Sequence, residues 1–166
     1  AIKKGNIEII KLLLKNDKID VNITNVTIKS AKGIDFYPDF GGIGSSLLEK
    51  IDVDEITPLC LAILNKNDTI VKLLLENEKL DVNAISKSDK KSQVDNHGFG
   101  DSGSWKKTAL HLAIYNGPEI VALLLNCKGI DITIKDNNDH DPIYYAKFVS
   151  PEILNLFTKK KNEMNI

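Results

Sequence analysis

The stretch Thr57-Pro58-Leu59-Cys60-Leu61-Ala62, followed by Val71-Lys72-Leu73-Leu74-Leu75 and Asp81-Val82-Asn83, decides the fold because it returns. The same pattern runs Thr108-Ala109-Leu110-His111-Leu112-Ala113, Val121-Ala122-Leu123-Leu124-Leu125 and Asp131-Ile132-Thr133, the third copy in chain order. Upstream, the chain opens part-way through a further copy, with Ala1, Gly5-Asn6, Ile10-Lys11-Leu12-Leu13-Leu14 and Asp20-Val21-Asn22. Downstream, a degenerate copy closes it: Asp141-Pro142-Ile143-Tyr144-Tyr145-Ala146, then Glu152-Ile153-Leu154-Asn155-Leu156-Phe157. One unit repeated in one order is the signature of an array whose members bury their apolar faces on one another.

Each copy reads as two short helices. In the first, Leu59, Ala62 and Ile63, or Leu110, Ala113 and Ile114, recur three and four apart and share one face. The closing copy keeps Ile143 and Ala146 of that pattern. The second helix is a dense apolar block, Ile70 to Leu75 or Ile120 to Leu125, suited to burial between neighbours. Pro118 and Pro151 fit first-turn positions, and Asp68 and Ser150 read as caps for the orphan amides. Gly5 and Gly117 fit the turn between paired helices, where positive φ is often needed. Neither helix is long enough to stand alone in water.

Thr-Pro-Leu-Cys-Leu-Ala and Thr-Ala-Leu-His-Leu-Ala resemble the ankyrin repeat signature T-P-L-H-x-A, with Thr57, Pro58, Leu59, Thr108, Leu110 and His111 carrying the match. The triple-Leu block and the Asp-Val-Asn turn are similar to that family as well. The resemblance implies an all-α fold, a solenoid of stacked antiparallel helix pairs with β-hairpin or loop fingers. It implies one domain over 1–166: a partial repeat 1–22, an insertion 23–56, a repeat 57–83, an insertion 84–107, a repeat 108–133 and a terminal repeat 141–158. It also implies that His111 is a structural hydrogen-bonding residue at the turn into the first helix, not a catalytic one. Two departures stand out. Cys60 replaces the motif His, and Asp141 and Ile143 replace Thr and Leu.

The family places eight positions between the turn Asn and the next motif Thr, as from Thr133 to Asp141. Asn22 to Thr57 is 35 positions and Asn83 to Thr108 is 25, so 23–56 and 84–107 are enlarged fingers. Such loops cost little closure entropy, about 0.6 kcal/mol per doubling, and beyond ~12–15 residues they are usually functional or disordered. The two insertions hold seven of the ten Gly and eight of the nine Ser, which suits a linker. They also hold five of the ten aromatics, Phe36, Tyr37, Phe40, Phe99 and Trp105, which does not. These rings either fold back as a small core of their own or meet a partner, since large aromatics are enriched at interface hot spots. The first insertion carries three Lys against six acids, the second five Lys against three acids. Ser46-Leu47-Leu48-Glu49 predicts a capping box and a short helix near 46–52. The other aromatics are Tyr115, Tyr144, Tyr145, Phe148 and Phe157; the last four fall in the closing pair, where they are expected to seal the end of the array.

Composition excludes several classes. The 166 residues carry 22 basic and 23 acidic groups, so a generic nucleic-acid binder with its basic footprint is not expected. Every basic residue is Lys, which removes the guanidinium fork. No apolar run approaches the ~20 residues of a membrane span. Cys60 and Cys127 are too few for a disulfide framework and read as buried small hydrophobes. His97, His111 and His140 share no ligand spacing with them, so no metal is expected. Gly41-Gly42-Ile43-Gly44-Ser45-Ser46 could cradle an anion but lacks the Lys of a P-loop and a preceding strand. His97 with Asp95, Asp101 and Ser102 is the local cluster to weigh for nucleophilic catalysis, and a solvated Gly-Ser loop accounts for it. Lys159-Lys160-Lys161 suits the C-terminal dipole of a last helix.

The expectation is therefore a monomeric, cytoplasmic module that binds a protein partner, without catalysis, cofactor or metal. The family resemblance puts the partner on the concave side. The contact residues are expected to be Tyr37, Phe40, Phe99 and Trp105 in the fingers, with Tyr115 and Asn116 near the end of a first helix. Two alternatives stay open. The chain begins inside a helix without a Thr-Pro-Leu entry, which would fit a regulatory or targeting segment of a larger enzyme or secreted effector. The insertions could instead build a small-molecule or hydrolytic site.

Overall fold

The computed structural model describes residues 1–24, 55–88 and 105–165. Tyr37, Phe40 and Phe99, the Gly41–Ser46 stretch, the expected helix near 46–52 and the His97 cluster lie outside the described residues. A 3-10 turn at Ile2–Lys4 precedes α1 (Ile7–Leu14), α2 (Pro58–Leu64), α3 (Asp68–Leu75), β1 (Ile85–Ser88), β2 (Trp105–Thr108), α4 (Ala109–Ala113), α5 (Pro118–Leu125), α6 (Pro142–Val149) and α7 (Pro151–Met164). The described residues thus form helix hairpins and one two-stranded antiparallel ribbon.

The helix starts follow from side chains that satisfy orphan amides. Thr57 Oγ1 accepts from the Cys60 N–H at 3.2 Å, and Asp141 Oδ1 from the Tyr144 N–H at 2.8 Å. Asp141 therefore does the capping work of the motif Thr it replaces. Asn6 and Asn67 cap α1 and α3, each Oδ1 accepting from the N–H three residues on at 3.1 Å. This corrects the expectation for Asp68: its backbone is already helical, and its carboxylate sits in the first turn, where the helix dipole favours it. Ser150 holds the cap position of α7 but makes no side-chain capping bond. Gly117 lies at φ 124 just before α5, and Gly5 at φ 65 just before Asn6.

Within copies, α2 packs on α3, α4 on α5 and α6 on α7. Between copies, α2 packs on α4, α4 on α6, α1 on α3 and α5 on α7. The core is the expected apolar set: Leu59, Ala62, Ile63, Ile70, Val71 and Leu74, and their counterparts Leu110, Ala113, Ile114, Ile120, Val121 and Leu124. In α1, Ile10 is buried while Ile9 and Leu13 are exposed, although the equivalent Ile70 and Leu74 are core residues.

The Asp-x-Asn turns tie one copy to the next. Asp20, Asp81 and Asp131 each accept the N–H two residues on, at 2.8, 2.9 and 2.8 Å. Asn22 then donates Nδ2 to the Lys79 carbonyl and accepts from the Asp81 N–H, at 2.8 and 2.7 Å. Asn83 repeats this on the Gly129 carbonyl and the Asp131 N–H, at 2.8 and 2.9 Å.

The ends of the second insertion pair as a β-hairpin, Ser86 opposite Lys107 and Ile85 opposite Thr108. Glu55 bridges to Lys87 on the other edge of β1. The closing aromatics do not all seal the array. Phe157 is fully buried and Tyr145 half-buried, but Tyr144 and Phe148 are exposed, the latter at 58%. Tyr144 and Phe148 are four apart on α6 and share one face, and that face is turned to solvent.

Candidate functional site

The densest polar chemistry lies where the third copy meets the closing one. β2 delivers Lys107, then runs straight into α4 with Thr108 and His111. The short finger after Thr133 delivers Asp136 and His140, and α6 delivers Tyr144, Tyr145 and Phe148.

Thr108 and His111 form a reciprocal capping box. The Thr108 backbone N–H can only donate, so His111 Nδ1 accepts it, at 3.3 Å, with the Thr108 hydroxyl 2.8 Å from the same nitrogen. The His140 carbonyl can only accept, so His111 Nε2 carries the proton, at 3.2 Å. Burial lowers the His111 pKa to about 4, and the Lys107 charge adds to this against the pull of the His140 carbonyl, Asp136 and Asp141. The imidazole is therefore neutral near pH 7 with both nitrogens engaged, in keeping with a structural role.

Lys107 and Asp136 form a buried ion pair, and the Tyr145 hydroxyl donates to the same carboxylate oxygen. Lys107 Nζ also donates to the Tyr145 hydroxyl at 2.8 Å and lies 4.2 Å from the centre of its ring. The second carboxylate oxygen accepts the N–H groups of Asn138 and His140, at 2.9 and 3.1 Å. Burial raises the Asp136 pKa, but hydrogen bonds from Lys107 and Tyr145 and the Lys107 charge outweigh it and hold the group at about 2.

A row of rings leads outward from this cluster. Tyr145 meets His111, Tyr115 and His140 edge-on, at 6.1, 6.4 and 5.8 Å between centroids. His140 stacks flat on Tyr144 at 3.6 Å, and Phe148 meets Tyr144 edge-on at 5.3 Å. Of the expected contact residues, Tyr115 thus joins the row, half-buried. Asn116 is committed elsewhere: its Nδ2 donates to the Ile63 carbonyl near the end of α2. Trp105 opens β2.

The preceding joint solves the same problem without a histidine. There the Thr57 N–H donates to Ser86 Oγ at 2.9 Å, and the Cys60 thiol lies against both hydroxyls. Ser86, fully buried, replaces the imidazole as acceptor and offsets the Cys60 departure. Burial pushes the Cys60 thiol up from its ordinary pKa, as it does for Cys127. Ser86→Ala should leave the Thr57 N–H unpaired and cost about 1–2 kcal/mol in urea unfolding, while Ser86→Thr keeps the acceptor.

Sequence reading missed Lys107, Asp136, Tyr145 and Ser86 as a set. The signal was positional: Asp136 stands three residues after Thr133 as Ser86 does after Asn83, and Lys107 precedes Thr108 as His140 precedes Asp141. Among the described residues, no group of His, Cys, Asp and Glu could hold a metal, and no helix is long and apolar enough to cross a membrane.

The family model for the ankyrin repeat matches residues 1–26, 54–87 and 105–137, more than half of the chain. The chain belongs to the ankyrin repeat family, whose members generally mediate protein–protein contacts and are generally not catalysts. It is also similar to a Dictyostelium discoideum protein named "Probable serine/threonine-protein kinase", 31% identical over 127 residues. That match covers 71% of this chain, which spans only 13% of the relative's length.

Proposed function

We propose that this chain is a protein–protein interaction module with no catalysis of its own. Its copies stack as a short curved solenoid forming one domain over 1–166, with 23–56 and 84–107 as enlarged fingers. The partner lies across the concave side, against the fingers with Tyr37, Phe40, Phe99 and Trp105 and against the first helices. The observation that carries this reading is the ring row that starts at Tyr115 and Tyr145 and ends in the exposed Tyr144 and Phe148 on α6. Exposed aromatics beside a rigid first helix supply apolar area at low entropic cost, as binding surfaces do. Asn116 contributes by holding the turn that carries Tyr115. The module acts as a monomer in the cytoplasm.

The test begins with affinity capture by the intact chain to identify the partner. Replacing 25–54 and 89–104 with short Gly-Ser linkers should then leave helicity and cooperative unfolding intact and weaken binding at least tenfold. Phe148→Ala should weaken binding severalfold without loss of stability. Unchanged binding by both variants would overturn the reading.

A second reading is favoured by the small share of the kinase-named relative that the chain spans. In it, the module is the regulatory or targeting segment of a larger multidomain protein.

A further inference from the structure

We infer that the joint between the third and closing copies is an acid-released latch: protonation of His111 frees α6 and α7 while the upstream copies stay folded. His111 is 1% exposed, and its Nδ1 already accepts from Thr108 while its Nε2 donates across the joint to the His140 carbonyl. A second ring proton would set an N–H on Nδ1 against the Thr108 N–H and oblige the Thr108 hydroxyl, 2.8 Å away, to turn from donor to acceptor. It would also bury a cation near the Lys107 ammonium.

Charged and polar groups meet His111 from three elements. β2 brings Lys107, the short finger brings Asp136 and His140, and α6 brings Asp141 and the Tyr145 ring. Asp136 already accepts from Lys107, Tyr145 and two backbone N–H groups, so its carboxylate is not free to take up a new cation. Departure of α6 and the finger removes Tyr145 and the His140 carbonyl, which gives the imidazole back to water. Acid therefore favours the open joint.

The direction follows from linkage. The ring is neutral in the closed joint down to pH about 4 and ordinary, near 6.5, in the open one. Stability from the latch is complete above pH 6.5 and is lost as pH falls toward 4. The upstream joint has Cys60 and Ser86 in place of this chemistry, and the Cys60 thiol, raised by burial, stays neutral throughout that window. Independent opening of one end suits an array whose units contact only their neighbours.

Segment-resolved hydrogen exchange at pH 7 and pH 5, corrected for intrinsic rates, tests this. Protection in α6 and α7 should fall about twentyfold relative to α2 and α3, the factor that linkage gives for these two pKa values. His140→Gln should keep the fall, and His111→Gln should remove it. Equal protection of α6 and α7 at the two pH values overturns the inference in the unmodified chain alone. So does a fall shared evenly with α2 and α3, or one that persists in His111→Gln.

Discussion

Asp136→Ala is expected to lower the unfolding free energy by about 3–5 kcal/mol, the range for stripping one partner from a buried ion pair. The Asp136 side chain is wholly buried and that of Lys107 is 9% exposed. The alanine would take the carboxylate away from the Lys107 ammonium and the Tyr145 hydroxyl, and from the N–H groups of Asn138 and His140. The paired change Lys107→Met with Asp136→Leu should recover much of the loss, because an apolar replacement of a buried pair is often neutral. Urea unfolding at pH 7 measures both. A loss below about 1 kcal/mol for Asp136→Ala would mean that water reaches the pair. With its carboxyl held near 2 against an ordinary 3.8, Asp136 stabilises the fold above pH 3.8, and that contribution is lost as pH falls toward 2.

Phe157→Ala should be comparably costly, about 3–5 kcal/mol, the usual range for emptying a buried aromatic site. Phe157 is fully buried on α7, the helix that packs on both α5 and α6. Phe148→Ala, on the same closing pair, should change stability by about 0.5 kcal/mol or less, as exposed substitutions do. The contrast is measured by the urea midpoint of each variant, and equal midpoints would place both rings in one environment. It also makes Phe148 a clean probe of binding, since its removal leaves the scaffold standing.

What the sequence showed, it showed through period and punctuation. Leu59, Ala62 and Ile63 announced a buried face by spacing, and the repeat of Thr-x-Leu, triple Leu and Asp-x-Asn announced the order of elements. The misses have physical causes. Asn67 and Asp68 are both good capping residues, and only backbone geometry chooses between them. In α6 the apolar residues Ile143, Tyr144, Tyr145, Ala146, Phe148 and Val149 run nearly all the way round, so no period could say which ring faces in. Lys107 and Asp136 are 29 residues apart and sit on different fingers, so their pairing is a product of stacking. Among 22 Lys and 23 acidic residues, neither stands out.

The asparagine clamps carry a consequence for how such a molecule can change. Asn22 reaches forward 57 and 59 residues to Lys79 and Asp81, stepping over the whole first insertion. Asn83 likewise reaches over the second, to Gly129 and Asp131. Neighbouring turns are therefore joined by short links, whatever the length of chain between them. A change in the length of that chain would leave the asparagine links themselves in place. Each asparagine works as a coupling that tolerates a long detour of chain between the two halves it joins.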